Sequence, residues 1–201
     1  MREVGVLLFE GFELLDVFGP LEMLGLLDDD FTIRLISENA PIVASGQGPR
    51  SVIDDHFADD RTYDVLLVPG GMGTRREVTN ASLLHWLVQA AGRAEIVASV
   101  CTGSALLAKA GLLDGHRATT NKLAFDWVAS KGPNVNWQRR ARWVEDGKCF
   151  TSSGVSAGMD MALALIARLC GIDRARQAAG WAEYTWHEDS ADDPFARVTE
   201  V

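Results

Sequence analysis

The chain has 201 residues, of which 47% are hydrophobic and 23% are charged, and its formal net charge is -9 at pH 7. These proportions are typical of a globular protein, and the length predicts a single domain, 1–201. The acidic balance argues against a nucleic-acid partner, because nucleic-acid binding requires a basic surface. We expect no membrane partner either, because no apolar run approaches the ~20 residues that cross a bilayer.

In chain order, short apolar runs alternate with helical patterns. Strands are predicted over 4–9, 31–36, 65–68 and 96–100, and helices over 21–27, 81–91, 103–110, 122–130, 157–169 and 174–184. Short, continuous apolar runs suit the middle of a parallel sheet that is covered on both faces. Two strand-like pieces around Asp146-Gly147 predict an antiparallel hairpin within 139–151, and Asp173 is the expected N-cap of the last helix. The pattern therefore predicts an α/β fold with a mostly parallel sheet and a small β-hairpin.

The cysteines and the N-terminus bear on the cellular compartment. Cys101, Cys149 and Cys170 form an odd, widely spaced set that fits neither a disulfide framework nor a CxxC metal site. Such a set is typical of a reducing compartment. The N-terminus passes directly into a strand pattern and has no signal-peptide arrangement. We therefore expect a cytoplasmic protein with no metal and no cofactor.

A cysteine directly follows the strand predicted at 96–100. Residues 98–105 are Ala-Ser-Val-Cys-Thr-Gly-Ser-Ala, so a buried strand leads into Cys101 and then into a helix of small residues. This order is typical of a nucleophile elbow, which holds a side chain at the carboxyl end of a strand. The N-terminus of the next helix favours a thiolate there. Taken alone, the segment fits a buried core cysteine about equally well.

A glycine pair follows the strand predicted at 65–68. Residues 68–74 are Val-Pro-Gly-Gly-Met-Gly-Thr. The backbone at Gly70 and Gly71 can approach a ligand closely, and its N–H groups could bind an oxyanion or a carbene-like carbon. A phosphate loop is excluded, because neither the Lys-Ser/Thr spacing nor a GxGxxG pattern is present. A plain strand-to-loop turn remains an adequate explanation for Gly73.

An aspartate lies among apolar residues near the first predicted helix. Residues 12–22 are Phe-Glu-Leu-Leu-Asp-Val-Phe-Gly-Pro-Leu-Glu. Proline favours the first helical turn, so we expect the helix to begin near Gly19 or Pro20, with Asp16 in the turn before it. A carboxyl group in apolar surroundings should have a raised pKa. The alternative is an ordinary helix-capping aspartate.

These three segments follow strands or lie at strand ends. In a doubly wound sheet, the loops at the carboxyl ends of the strands meet in one crevice, where the strand order reverses. We therefore expect Asp16, the Gly70-Gly71 pair and Cys101 to lie close together.

Five segments of the chain resemble the ThiJ/PfpI superfamily, which has the class I glutamine-amidotransferase-like fold. They are 15–22 (Leu-Asp-Val-Phe-Gly-Pro-Leu-Glu), 68–73 (Val-Pro-Gly-Gly-Met-Gly), 100–104 (Val-Cys-Thr-Gly-Ser), 110–120 (Ala-Gly-Leu-Leu-Asp-Gly-His-Arg-Ala-Thr-Thr) and 153–160 (Ser-Gly-Val-Ser-Ala-Gly-Met-Asp). Within the superfamily, the chain is most similar to the isocyanide hydratase branch. The resemblance implies a flavodoxin-like three-layer sandwich with helices on both faces of a mostly parallel central sheet, and a homodimer.

The resemblance also implies roles for individual residues. It makes Cys101 the nucleophile and Asp16 the acidic residue that contacts it. Thr102 would line the site with its N–H and hydroxyl groups, and the backbone N–H of Gly71 would face the cysteine. The expected catalytic residues are therefore Cys101, Asp16 and Thr102, with Gly70, Gly71 and Thr102 binding substrate or an oxyanion.

Thr102 also bears on the reaction. Protease-like and glyoxalase-like members of the superfamily usually carry His at this position, and without it Cys101 has no adjacent general base. Proton transfer then falls to Asp16, which favours hydration of an isocyanide, a small-molecule substrate, to an N-substituted formamide through a thioimidate on Cys101. This reaction would make the protein a cysteine-dependent hydro-lyase.

Two alternatives compete with this enzyme. One is a redox- or stress-responsive protein in which Cys101 is oxidised to a sulfinic acid that Asp16 stabilises. The other is a ligand-sensing domain related to AraC-type regulators, which share the residues at 16–20 and 101–103. A regulator would need basic recognition helices, for which the sequence shows no pattern.

The C-terminal region has two further features. Trp181, Tyr184 and Trp186 are candidates for lining an apolar substrate pocket, with core or dimer packing as the alternative. The acidic stretch 188–194 predicts either an ordered extension or a frayed end.

Overall fold

The computed structural model describes residues 1–196. The strands are β1 (Arg2–Leu7), β2 (Phe31–Ser37), β3 (Ile42–Ala44), β4 (Arg50–Val52), β5 (Asp55–His56), β6 (Val65–Val68), β7 (Ile96–Val100), β8 (Arg117–Ala118), β9 (Asn136–Trp137), β10 (Trp143–Asp146) and β11 (Cys149–Ser152). The helices are α1 (Leu14–Gly25), α2 (Thr74–Glu77), α3 (Ala81–Arg93), α4 (Ser104–Lys109), α5 (Phe125–Ala129), α6 (Ala157–Cys170) and α7 (Ile172–Trp181). Short 3-10 turns cover Phe57–Asp59 and Cys101–Gly103.

A seven-stranded sheet forms the centre of the fold, in the order β10-β11-β7-β6-β1-β2-β5. All neighbouring strands run parallel except β10 and β11, which pair antiparallel around Gly147. The helices form two contacting groups, with α1, α6 and α7 in one and α2, α3, α4 and α5 in the other. This arrangement confirms the predicted α/β fold, its mostly parallel sheet and the hairpin.

Strands β6 and β7 correspond to two of the apolar runs from which the parallel sheet was predicted. Every residue of β6 and β7 is buried. A strand that is covered by helices on both faces has no solvent-facing side, so its sequence is nearly continuously apolar instead of alternating, and Ser99 of β7 is the one polar residue in these two strands. Small additional sheets, β3 with β4 and β8 with β9, were not predicted.

The first helix begins earlier than predicted. It starts at Leu14, so Asp16 lies in its first turn and Pro20 lies inside the helix. The expectation that the helix begins at Gly19 or Pro20, with Asp16 before it, was therefore wrong. Proline lacks an N–H group and removes one helical hydrogen bond, but the helix continues past it because its buried side packs on α6.

The last helix also differs from its prediction. It begins at Ile172 with Gly171 at the N-cap, so Asp173 lies in the first turn and does not cap the helix. After this helix the chain continues in an ordered extension: the N–H of Arg142 donates to the carbonyl of Ser190 at 2.8 Å, and that of Asp193 to the carbonyl of Arg140 at 2.7 Å. An extension, and not a frayed end, is therefore present up to residue 196.

The topology places three loops at one edge of the sheet. Strands β1, β6 and β7 are neighbours, and the strand order reverses between β1 and β6. The segments that carry Asp16, Gly70 and Cys101 each follow one of these strands. Parallel sheets bind ligands at this kind of switch point. In the described part of the chain, helices are too short or too polar to span a membrane.

Candidate active site

Cys101 lies on a strained turn between β7 and α4. Its φ is 57°, a left-handed conformation that residues other than glycine rarely adopt. Its N–H donates to the carbonyl of Ser153 at 3.2 Å, and its carbonyl accepts hydrogen bonds from Ser104 Oγ at 3.1 Å and Thr120 Oγ1 at 2.8 Å. These bonds hold the backbone in the geometry of a nucleophile elbow.

Asp16 is buried, and its two oxygens differ in their hydrogen bonds. Its side chain is 0% exposed, and Oδ2 accepts a hydrogen bond from the N–H of Gly70 at 2.9 Å. Oδ1 has no hydrogen-bond partner within residues 1–196. Burial raises the pKa of Asp16 to about 8; the N–H of Gly70 and the Cys101 thiol lower it by less, and the charge of Glu13 adds to the rise. The carboxyl group therefore holds a proton at neutral pH.

The Cys101 thiol lies close enough to Asp16 for each group to affect the pKa of the other. Burial and the negative charge of Asp16 raise the pKa of Cys101, while the N–H of Thr102 and the side chain of Asn121 lower it. The thiol and the carboxyl group therefore titrate as a pair that carries at most one negative charge near neutral pH. Because the pKa of Cys101 is raised above that of Asp16, the single charge lies on Asp16, and a thiolate forms only when the thiol passes its proton to that carboxylate.

The Gly70-Gly71 loop packs directly on Thr102. A Cβ atom on Gly70 would lie 2.5 Å from the backbone nitrogen of Thr102 and 2.8 Å from Asp16 Oδ2, so only glycine fits. The N–H of Gly71 donates to Thr102 Oγ1 at 3.0 Å, and Thr74 Oγ1 lies 3.2 Å from the same hydroxyl. Both glycine N–H groups are thus engaged within the protein, and their oxyanion-binding role stays a prediction.

Asn121 was not found by sequence reasoning. A Cβ atom on Gly154 would lie 2.2 Å from Asn121 Nδ2 and 3.1 Å from Cys101 Sγ, so the amide and the thiol share the space above this glycine. Asn121 follows the matched segment 110–120 directly, but an asparagine in a loop has no pattern of its own. Its position depends on tertiary contacts.

A cavity of about 370 Å³ lies next to residues that surround the thiol, although Cys101 itself does not line it. Its lining is mostly apolar and consists of Leu15, Asn121, Lys122, Leu123, Ser153, Gly154, Val155, Ser156 and Phe195. Two of these residues, Asn121 and Gly154, also adjoin Cys101 Sγ. The cavity is large enough for a small organic ligand, since ligand pockets occupy about 300–1,000 Å³.

The three aromatic residues proposed for a pocket lie elsewhere. Tyr184 donates its hydroxyl to Asp160 Oδ1 at 3.0 Å, and Trp186 donates its indole N–H to the Asp160 carbonyl at 3.2 Å. Trp181 is 56% exposed. None of them lines the cavity beside Cys101. No group of three or more His, Cys, Asp and Glu between residues 1 and 196 is placed to hold a metal ion.

The fold and the elbow define a class of α/β proteins in which a cysteine follows the central strand of a mostly parallel sheet. The DJ-1/PfpI family model matches residues 2–168. The chain belongs to the DJ-1/PfpI family. This finding confirms the resemblance on which the expected fold and site residues depend.

Individual relatives differ in what they do. An isonitrile hydratase of Pseudomonas putida is 36% identical over 182 residues, which cover 90% of this chain and 78% of that enzyme. The transcriptional regulator GbdR of Pseudomonas aeruginosa is 29% identical over 172 residues, covering 83% of this chain but only 46% of the regulator. The crystal structure of a ThiJ/PfpI family protein from Pseudomonas syringae has a TM-score of 0.85 and 32% identity, and the match covers 96% of this chain and 77% of that protein.

Proposed function

We propose that this protein hydrates isocyanides to N-substituted formamides, with Cys101 as the nucleophile and Asp16 as the proton donor. The main support is the buried Asp16 carboxyl group, which has a pKa of about 8 and an oxygen without a partner among residues 1–196, and which lies beside a thiol on an elbow. The similarity to an isonitrile hydratase supports the substrate class, because isonitrile and isocyanide are two names for the same functional group.

In the proposed first step, the Cys101 thiolate attacks the terminal carbon of R–N≡C. Asp16 gives its proton to the same carbon, which leaves a thioimidate, R–N=CH–S, on Cys101 and a carboxylate on Asp16. The N–H of Thr102 and the amide of Asn121 stabilise the thiolate before the attack. The hydroxyl of Thr102 holds the Gly70-Gly71 loop beside it.

In the second step, water adds across the C=N bond. The Asp16 carboxylate takes one proton from the water and passes it to the nitrogen. Collapse of the resulting carbon centre then breaks the C–S bond, releases the formamide R–NH–CHO, and returns the hydroxyl proton to Asp16. The thiolate and the protonated carboxyl group are thereby restored, and the net change is the addition of one water molecule.

The two alternatives have less support. Oxidation of a thiol needs access to solvent, whereas Cys101 is only 6% exposed. The regulator GbdR matches this chain over only 46% of its own length, so its activity as a whole protein does not carry over.

The proposal is tested by measuring formamide production from benzyl isocyanide, with methylglyoxal as a competing test substrate. We expect turnover of the isocyanide, and a loss of at least about 10³-fold in Cys101→Ser because the covalent step needs the thiolate. Cys149→Ser is the matched control, since Cys149 is also a buried free cysteine but its Sγ contacts the carbonyl of Leu112 at 3.7 Å. Turnover of methylglyoxal alone, or an active Cys101→Ser variant, would contradict the proposal.

A further inference from the structure

The C-terminal extension reaches the cavity beside the thiol. We call residues 188–196 the C-terminal strap. Phe195, near its end, lines the cavity together with Leu15, Leu123 and Val155 and is 57% exposed. An exposed phenylalanine that lines an apolar cavity offers surface to a ligand, because its own contacts within the protein are incomplete.

The strap is held beside β10 by backbone hydrogen bonds. The carbonyl of Ser190 accepts from the N–H of Arg142 at 2.8 Å, and the N–H of Asp193 donates to the carbonyl of Arg140 at 2.7 Å. The course of the strap is therefore fixed on both sides of residues 191–192.

A buried carboxylate then fixes the end of the strap. Asp193 is 0% exposed, and its oxygens lie 3.6 Å from Arg142 Nη1 and 4.0 Å from Lys122 Nζ. Arg142 also pairs with the buried Asp160, with 2.6 Å between Nη2 and Oδ2. Buried charges of this kind are costly to separate, since each one depends on the others for compensation. The cluster therefore resists displacement of Asp193.

Asp193 also sets the position of Phe195. Its Oδ1 accepts a hydrogen bond from the N–H of Phe195 at 3.0 Å, and its carbonyl accepts one from the N–H of Ala196 at 2.9 Å. These two bonds make a tight turn that begins at a buried residue and ends at the cavity. Lys122, which faces Asp193 in the charge cluster, also lines the cavity. The cluster therefore connects the strap to the wall of the cavity.

We propose that Phe195 is a specificity-determining residue that contacts the R group of the substrate, and that Asp193 is its positioning residue. This inference rests on the proposed function. An isocyanide reacts at its terminal carbon, so its R group must extend away from Cys101 Sγ. The apolar cavity that shares Asn121 and Gly154 with the surroundings of the thiol is the adjoining space. An apolar, ring-bearing R group therefore gains contacts with Phe195 that a methyl group cannot reach.

The test compares kcat/KM for benzyl and methyl isocyanide in Phe195→Ala, Phe195→Leu and Asp193→Ala. We expect the benzyl-to-methyl ratio to fall about tenfold in Phe195→Ala and in Asp193→Ala, as is typical when a hydrophobic pocket loses part of its contact surface. Phe195→Leu, which keeps an apolar side chain, should recover most of the ratio. Trp181→Ala is the matched control, because Trp181 is 56% exposed, has no place in the cavity and should leave the ratio unchanged.

A second measurement does not need turnover. The rates at which N-benzylmaleimide and N-methylmaleimide alkylate Cys101 are followed by peptide mass spectrometry, which separates this cysteine from Cys149 and Cys170. The benzyl-to-methyl rate ratio should fall in Phe195→Ala and Asp193→Ala and stay constant in Trp181→Ala.

The outcomes separate the two proposals. A changed maleimide ratio without turnover of any isocyanide supports the role of Phe195 and contradicts the proposed reaction. Turnover with both ratios unchanged in Phe195→Ala overturns the role of Phe195 and leaves the reaction standing. Ratios that change in Phe195→Ala but not in Asp193→Ala overturn the positioning role of Asp193.

Discussion

The substitution Asp16→Asn should make the protein more stable at alkaline pH while it removes the proton donor. Asparagine has the same shape as aspartate, and its side-chain oxygen can still accept the hydrogen bond from the N–H of Gly70. It cannot ionise. The comparison of the two proteins therefore isolates the effect of one buried titratable group.

The magnitude follows from the pKa of Asp16, which burial raises from 3.8 to about 8. Between these two values the folded protein holds one proton more than the unfolded chain, so the free energy of unfolding falls as the pH rises. The slope for one proton is about 1.4 kcal/mol per pH unit. From pH 5 to pH 8, wild type should lose about 4 kcal/mol relative to Asp16→Asn.

The assay is urea denaturation of both proteins at intervals from pH 5 to pH 8.5, with the difference between their free energies of unfolding plotted against pH. Titrating groups that do not interact with Asp16 contribute equally to both proteins and cancel in the difference; Cys101, which is coupled to Asp16, is replaced by Ser in both proteins. We expect the difference to grow in favour of Asp16→Asn as the pH rises and to level off above pH 8. A difference that stays constant over this range would refute the assignment of a raised pKa to Asp16.

Two further predictions concern activity and packing. The logarithm of kcat/KM for benzyl isocyanide should rise with unit slope below pH 8 and level off above it, since the thiol-carboxyl pair must lose one proton to attack. A flat wild-type profile from pH 6 to 8.5 would argue against this pair. Asp16→Asn should lower the rate about 10²- to 10⁴-fold, because it removes the proton donor. Gly154→Ala should abolish turnover, because the new Cβ would lie 2.2 Å from the amide nitrogen of Asn121. Gly180→Ala is the control and should retain activity, because no atom lies within 4 Å of its new Cβ. Equal activities of the two variants would show that Asn121 has no part in the site.

Much of the fold could be predicted because its central elements are governed by local rules. The apolar runs of β6 and β7 reflect burial on both faces, and Asp146-Gly147 supplies the turn of the hairpin. Two-residue strands such as β8 and β9 are too short to show a period of two and could not be found this way. The start of α1 was misplaced because a local preference of proline was given more weight than tertiary packing.

Some residues of the candidate site could likewise be predicted from the sequence, and others could not. Asp16, the Gly70-Gly71 pair and Cys101 lie in segments that follow neighbouring strands, so topology alone brings them to one edge of the sheet. Asn121 and Phe195 come from segments whose positions depend on distant contacts, in the latter case on a buried charge cluster. No local pattern marks such residues, because the contacts that place them are remote in sequence.

The central claim is the covalent step at Cys101, and rapid-quench mass spectrometry of the intact protein tests it most directly. After mixing with benzyl isocyanide, wild type should show a transient mass increase equal to one isocyanide, mapped to the peptide that contains Cys101, which decays as formamide is released. The Cys101→Ser variant should show neither the adduct nor the product. Formamide production at an undiminished rate by Cys101→Ser, without an adduct in either protein, would contradict the account.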